Sequence, residues 1–122
     1  MPVRRTLAIA ILFLVFGLAA ETPAHGQEDI SVEGEVVDLA CYMSKGSKGP
    51  SHRVCAQKCA ERGIPIGVLT DDGKLFLLLE DHSDEEPYED AKKLAGYRAE
   101  VKGKKFSKPG IDSILVGEIE GK

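Results

Sequence analysis

Tryptophan is absent from this chain, and tyrosine and phenylalanine number only 3 and 4. Rings this few and this scattered do not make a stacking platform for nucleic-acid bases. Excess positive charge is missing too. The formal net charge is −4 at pH 7, whereas a nucleic-acid partner calls for a basic surface. Cysteine is scarce, at 3 residues, and no two have the Cys-x-x-Cys spacing of a thioredoxin-like site, whose βαβ setting is also missing. Cys55-Ala56-Gln57-Lys58-Cys59-Ala60 has one residue too many, and no following histidine, for haem attachment, so no haem is expected. There is no glycine-rich phosphate loop and no Ser-His-Asp arrangement. The chain reads as a binding protein rather than an enzyme.

What is present begins with a leader. Arg4 and Arg5 precede an apolar run from Leu7 to Leu18, broken only by Gly17. Small residues follow, with candidate cleavage positions after Ala20 or Gly26. This is the layout of a secretory signal peptide over residues 1–26. The run is shorter than the roughly 20 apolar residues that span a bilayer, so no stable membrane insertion is expected after cleavage. The expected locations are the periplasm or the extracellular space. Residues 27–122 then form one small domain, which a metal or disulfide cross-link would help to stabilise.

Within that domain, Val32 to Leu39 reads as a strand, with Gly34 marking a bulge or sharp bend. Ser44 to Ser51 reads as a loop. Ser51 and Gly63 bracket a helix of about three turns as N-cap and C′ residue. Ile66 to Thr70 is a second strand, Asp71-Asp72-Gly73 a hairpin turn, and Leu75 to Leu79 a strand expected to be buried on both faces. Pro87 opens a second helix that ends near Gly96. Tyr97 to Lys104 and Ile111 to Glu120 are the last strands. Setting the first helix aside, this is the element order of the five-stranded OB barrel. The expectation is a mainly β, OB-like barrel with two short helices, the first inserted between strands 1 and 2. Val36, Leu39, Val68, Leu77, Leu79, Val101, Ile114 and Val116 are the expected core.

The stretch Gly34-Glu35-Val36-Val37-Asp38, Cys41-Tyr42, His52-x-x-Cys55-Ala56-x-x-Cys59 and Gly63-x-Pro65-x-Gly67-Val68-Leu69 resembles small exported bacterial OB-like proteins of unassigned function. Leu94 to Gly103 is similar to the fourth strand of such domains. The resemblance implies a fold and export, and brings no activity with it.

Chemistry concentrates in Cys41, His52, Cys55 and Cys59. On a helix at about 100° per residue, His52, Cys55 and Cys59 fall within an arc of about 60°. Cys41 reaches them from the end of the first strand. Together they form a Cys3His donor set suited to zinc or Cu(I). His52 and Cys59 lie about 10.5 Å apart along a helix axis, so His52 must bend back from the first turn, unless the site is made by the three cysteines without it or completed by His82. Cleavage after Gly26 removes His25 with the leader. Two other readings stay open in an oxidising compartment. Cys41 could pair with Cys55 or Cys59, leaving one odd thiol in a disulfide-stapled interaction module. Cys55–Cys59 is disfavoured, because neighbours on a helix hold their Cβ atoms about 5–6 Å apart and a disulfide needs about 3.5–4.5 Å. The thiols could instead form a redox couple. The expected partners are a metal ion and another exported protein. The acidic run Asp81, Asp84, Glu85, Glu86, Glu89 and Asp90 lacks an ordered calcium loop and reads as a solvated helix start.

N-terminal sequencing of the exported protein should begin near Glu21 or Gln27. Recovery of the intact Met1 end in the membrane fraction would contradict export with cleavage.

Overall fold

The computed structural model describes residues 27–122. The leader expected at residues 1–26 lies outside the described residues. The elements run β1 (Glu28–Asp38), α1 (Leu39–Lys45), a 3-10 turn (Pro50–His52), α2 (Arg53–Glu61), β2 (Ile66–Thr70), β3 (Leu75–Leu79), α3 (Glu86–Lys93), β4 (Arg98–Lys108) and β5 (Ile111–Gly121). The strands close in the order β1-β2-β3-β5-β4. Every pairing is antiparallel except β3 with β5. This is the five-stranded mixed barrel expected from the element order, with helices inserted between β1 and β2.

Closure depends on β1 serving two neighbours. Its first part, Glu28 to Glu35, pairs with β4, and its second, Gly34 to Asp38, pairs with β2. Gly34 lies in both ladders, opposite Thr70 and Ala99. A Cβ there would fall on the carbonyl oxygen of Leu69. The strand therefore bends where only glycine lets the two backbones approach. Gly103 plays the same part in β4. Its missing side chain admits the Leu115 carbonyl, beside a register shift between Lys102 and Gly103.

Val36, Val68, Val101, Ile114 and Val116 are buried in the barrel as expected, joined by Ile66 and Leu78. Leu39, Leu77 and Leu79, also expected there, are only half-buried. The apolar run of β3 is not buried on both faces. Phe76 and Leu78 turn inward, and Leu75, Leu77 and Leu79 alternate onto the outer face. A small closed barrel has one interior, and the two-residue period of a strand sends every second side chain away from it.

The helices differ from expectation in number and boundary. There are three, because Leu39–Lys45 forms α1. The residues Pro50–His52 form a separate 3-10 turn, and α2 begins only at Arg53. Gly63 ends α2 as expected, with φ 87°, and the Ile64 N–H reaches back to the Cys59 carbonyl at 3.0 Å. Buried alanines line the contact region of α2 and α3: Ala56 and Ala60 on one helix, Ala91 on the other, and Ala95 just beyond it. Small side chains there let the helices sit close to the barrel. Arg53 latches α2 down. Its Nε donates to the Gly96 carbonyl at 3.1 Å, and its guanidinium lies 3.7 Å from the Tyr97 ring centroid.

Truncating Leu78 or Ile114 to Ala should cost about 2–5 kcal/mol in urea unfolding. Gly34→Ala should also destabilise strongly, because its collision is with backbone. Leu75→Ala, on the outer face, should lose clearly less than Leu78→Ala. Equal losses at these two positions would contradict the observed facing of β3.

Candidate metal centre

Asp38 is the last residue of β1 and the N-cap of α1. Its backbone is extended, at φ −77° and ψ 129°, as an N-cap requires. Its Oδ1 accepts the Cys41 backbone N–H at 2.8 Å. That bond satisfies one of the free amides of the first helical turn. The helix it starts is short and ends at Gly46, in the left-handed region at φ 68°, whose N–H bonds the Tyr42 carbonyl at 2.8 Å. The chain then returns through Gly49, whose N–H donates to Glu35 Oε2 on β1 at 2.8 Å. This anchor brings the Pro50–His52 turn back over the end of β1. His52 Nε2 lies 2.8 Å from the second oxygen of Asp38.

Three separate segments thus meet at one point. One donor atom from each of Asp38, Cys41 and His52 lies within 4.8 Å of the others, and this group could hold a metal ion. Asp38 has no solvent exposure, while Cys41 and His52 are partly exposed. The carboxylate forms the floor and the thiol and imidazole face the opening.

The electrostatics follow from this arrangement. Burial pushes the Asp38 carboxyl up. The Cys41 N–H, the His52 ring and the Cys41 thiol pull it down and prevail, leaving it below its ordinary value. The Cys41 thiol moves the opposite way. Its hydrogen bond to Asp38 raises it, and desolvation, the Asp38 charge and then Cys59 add to the rise. A thiol held protonated by a carboxylate is a poor nucleophile.

Cys41 and His52, singled out by the sequence pattern, are therefore brought together with Asp38. Cys59 is near enough to influence the Cys41 thiol but lies outside the group of three. Cys55 is exposed on α2. All three cysteines are free thiols, with no pair at bonding distance. His52 lies in the 3-10 turn just before α2, and its ring meets Asp38 at the end of β1. His82 is exposed in the turn after β3 and is not a member. Asp38 is the residue the sequence pattern did not reveal as a donor. Its signal was local: an aspartate directly before a short helical segment ended by glycine, in the capping position.

In metal-free protein, Asp38→Ala should cost about 1–3 kcal/mol through the lost cap and the orphaned His52 and Cys41 groups. Asp38→Asn, which keeps a capping acceptor, should cost less. The charge is more stable in the fold than in the unfolded chain. The wild type's margin over Asp38→Asn should therefore be present at neutral pH and shrink as pH falls below about 4. Urea midpoints across that range check the sign; a margin that grows on acidification would contradict it.

No family model, curated protein or solved structure matches this chain. The functional reading therefore rests on the geometry of the molecule itself.

Proposed function

We propose that this is an exported metal-binding protein in which Asp38, Cys41 and His52 bind one borderline divalent ion, zinc in preference to copper. The observation that carries the reading is the convergence of carboxylate, thiol and imidazole donors from three segments within 4.8 Å. Zinc accepts all three donor types, at about 2.0–2.2 Å for oxygen and nitrogen and about 2.3 Å for sulfur. Cu(I) prefers sulfur donors, and a carboxylate ligand works against it. Cys59, which influences the Cys41 thiol, is the candidate for a fourth donor; without it, the fourth position is left to water or to the partner that receives the ion. Support for export comes from the leader pattern around Arg4, Arg5 and the apolar run.

Binding would replace the Asp38–His52 and Asp38–Cys41 hydrogen bonds by coordination, so the ion would tie the end of β1 to both inserted segments. Coordination also displaces the Cys41 proton. About one proton should leave per ion bound, and affinity should fall as pH drops.

The test is titration of the purified, chelator-stripped protein with Zn2+, and with Co2+ as a coloured substitute. One ion per chain is expected, with a thiolate-to-cobalt charge-transfer band. Cys41→Ser and His52→Ala should abolish the band and tight binding, and Cys55→Ser should leave both unchanged. Cys59→Ser decides between four protein ligands and three. Wild-type affinity in Cys41→Ser, or no ion retained by the parent protein, would overturn the proposal.

A further inference from the structure

The outer face of β3 is the other anomaly of this fold. Leu75, Leu77 and Leu79 point away from the barrel interior and are only partly covered. Next to them the structure has a groove of about 620 Å³, between α1, β3 and the turn joining β4 to β5. Its apolar wall is made by Leu39 and Met43 from α1, Leu75 and Leu77 from β3, and Ile111 at the start of β5. Met43 is 71% exposed and Ile111 50%. Gly67 on β2 lets this wall assemble, because a Cβ there would press on Leu39 Cδ2 and Leu75 Cδ1, both at 3.1 Å. These side chains form one apolar wall beside an open groove.

Charge at the rim indicates what fits. Six lysines of the barrel and α3 are neutralised by carboxylates: Lys92, Lys93, Lys102, Lys104, Lys105 and Lys122. Lys74 and Lys108, which line the groove, make no ion pair among the described residues; the same holds for Lys45, Lys48 and Lys58, which lie away from it. Asp112 also lines it, so the lining is two cations against one carboxylate in a chain whose net charge is −4. The volume falls within the range of small-molecule sites, about 300–1,000 Å³.

We propose that this groove binds an amphipathic monocarboxylate of fatty-acid type. Its acyl chain lies against Leu39, Met43, Leu75, Leu77 and Ile111, and its carboxylate meets Lys74 or Lys108. The site is separate from the metal centre. Cys41, between Leu39 and Met43 in α1, belongs to the metal group and does not line the groove.

The sequence provides a reporter. Its 2 methionines are Met1 and Met43, so a methyl-labelled methionine spectrum of the metal-free protein reads the groove almost alone. Dodecanoate, kept below its micelle concentration, should shift the Met43 methyl saturably with one molecule per chain. Each methylene removed from the chain should weaken binding by up to about fourfold. Dodecanol, lacking the charge, should bind about two- to fivefold more weakly, and Lys74→Gln with Lys108→Gln should weaken dodecanoate by a similar factor. Ile111→Gln, at an exposed position that leaves the core intact, should weaken it further. Equal affinity for dodecanol and dodecanoate would overturn the proposal, as would an unmoved Met43 signal. A Met43 shift that depends on protein concentration without ligand would overturn it too, making the face a contact between copies. Failure here leaves the zinc titration untouched, and the reverse also holds.

Discussion

The inserted segment between β1 and β2 is organised by one buried carboxylate. Asp38 has no contact with solvent, and an ionised group in that position must be satisfied by protein. It is satisfied from two directions. One oxygen caps α1 through the Cys41 N–H, and the other holds His52 after the chain has looped out and back. Removing the side chain would release both the start of α1 and the turn that carries His52. The helix start, the position of the imidazole and the protonation of the Cys41 thiol depend on this residue, and the candidate metal centre is a consequence of satisfying it.

The barrel provides the rigid base for that arrangement. β1 must bend at Gly34 to pair with β4 and then β2, and the bend delivers Asp38 to the barrel rim, where an insertion can fold over it. Pro65 continues the support. The Leu39 N–H donates to its carbonyl at 2.9 Å, joining the start of α1 to the entry of β2. On the other side, α2 rests on α3 through small alanines and is latched by Arg53 at Gly96. The insertion is therefore held on both flanks, and backbone contacts add to the hydrogen bonds that its donors make with one another.

The same insertion contributes to both candidate sites. Cys41 belongs to the metal group, while Leu39 and Met43 line the groove beside β3. A short helix can do this because residues two apart point in different directions around its axis. The groove exists because a barrel strand made entirely of apolar residues has only one side that the barrel can bury.

Much of the fold was legible in the residues themselves. Gly34 marked the bend, Asp71-Asp72-Gly73 the hairpin and Gly63 the end of α2, because each of these is a local conformational requirement. Period-two patterning identified most of the barrel core. The uniform run Leu75 to Leu79 has no polar alternation, so it could not state which leucines face inward; closure of the barrel decided that. The short α1 escaped because seven residues, fewer than two full turns, are too few to give a periodic signal. Cys41 and His52 stood out by their chemistry, since few residue types bind soft or borderline metals. Their joining to Asp38, and the exposure of Cys55, depended on where the 3-10 turn stops and α2 begins. The sequence by itself determined the element order, the local turns and the available donors, which are properties of short stretches. Tertiary structure alone decided which donors meet, because that depends on closing a loop between residues far apart in the chain.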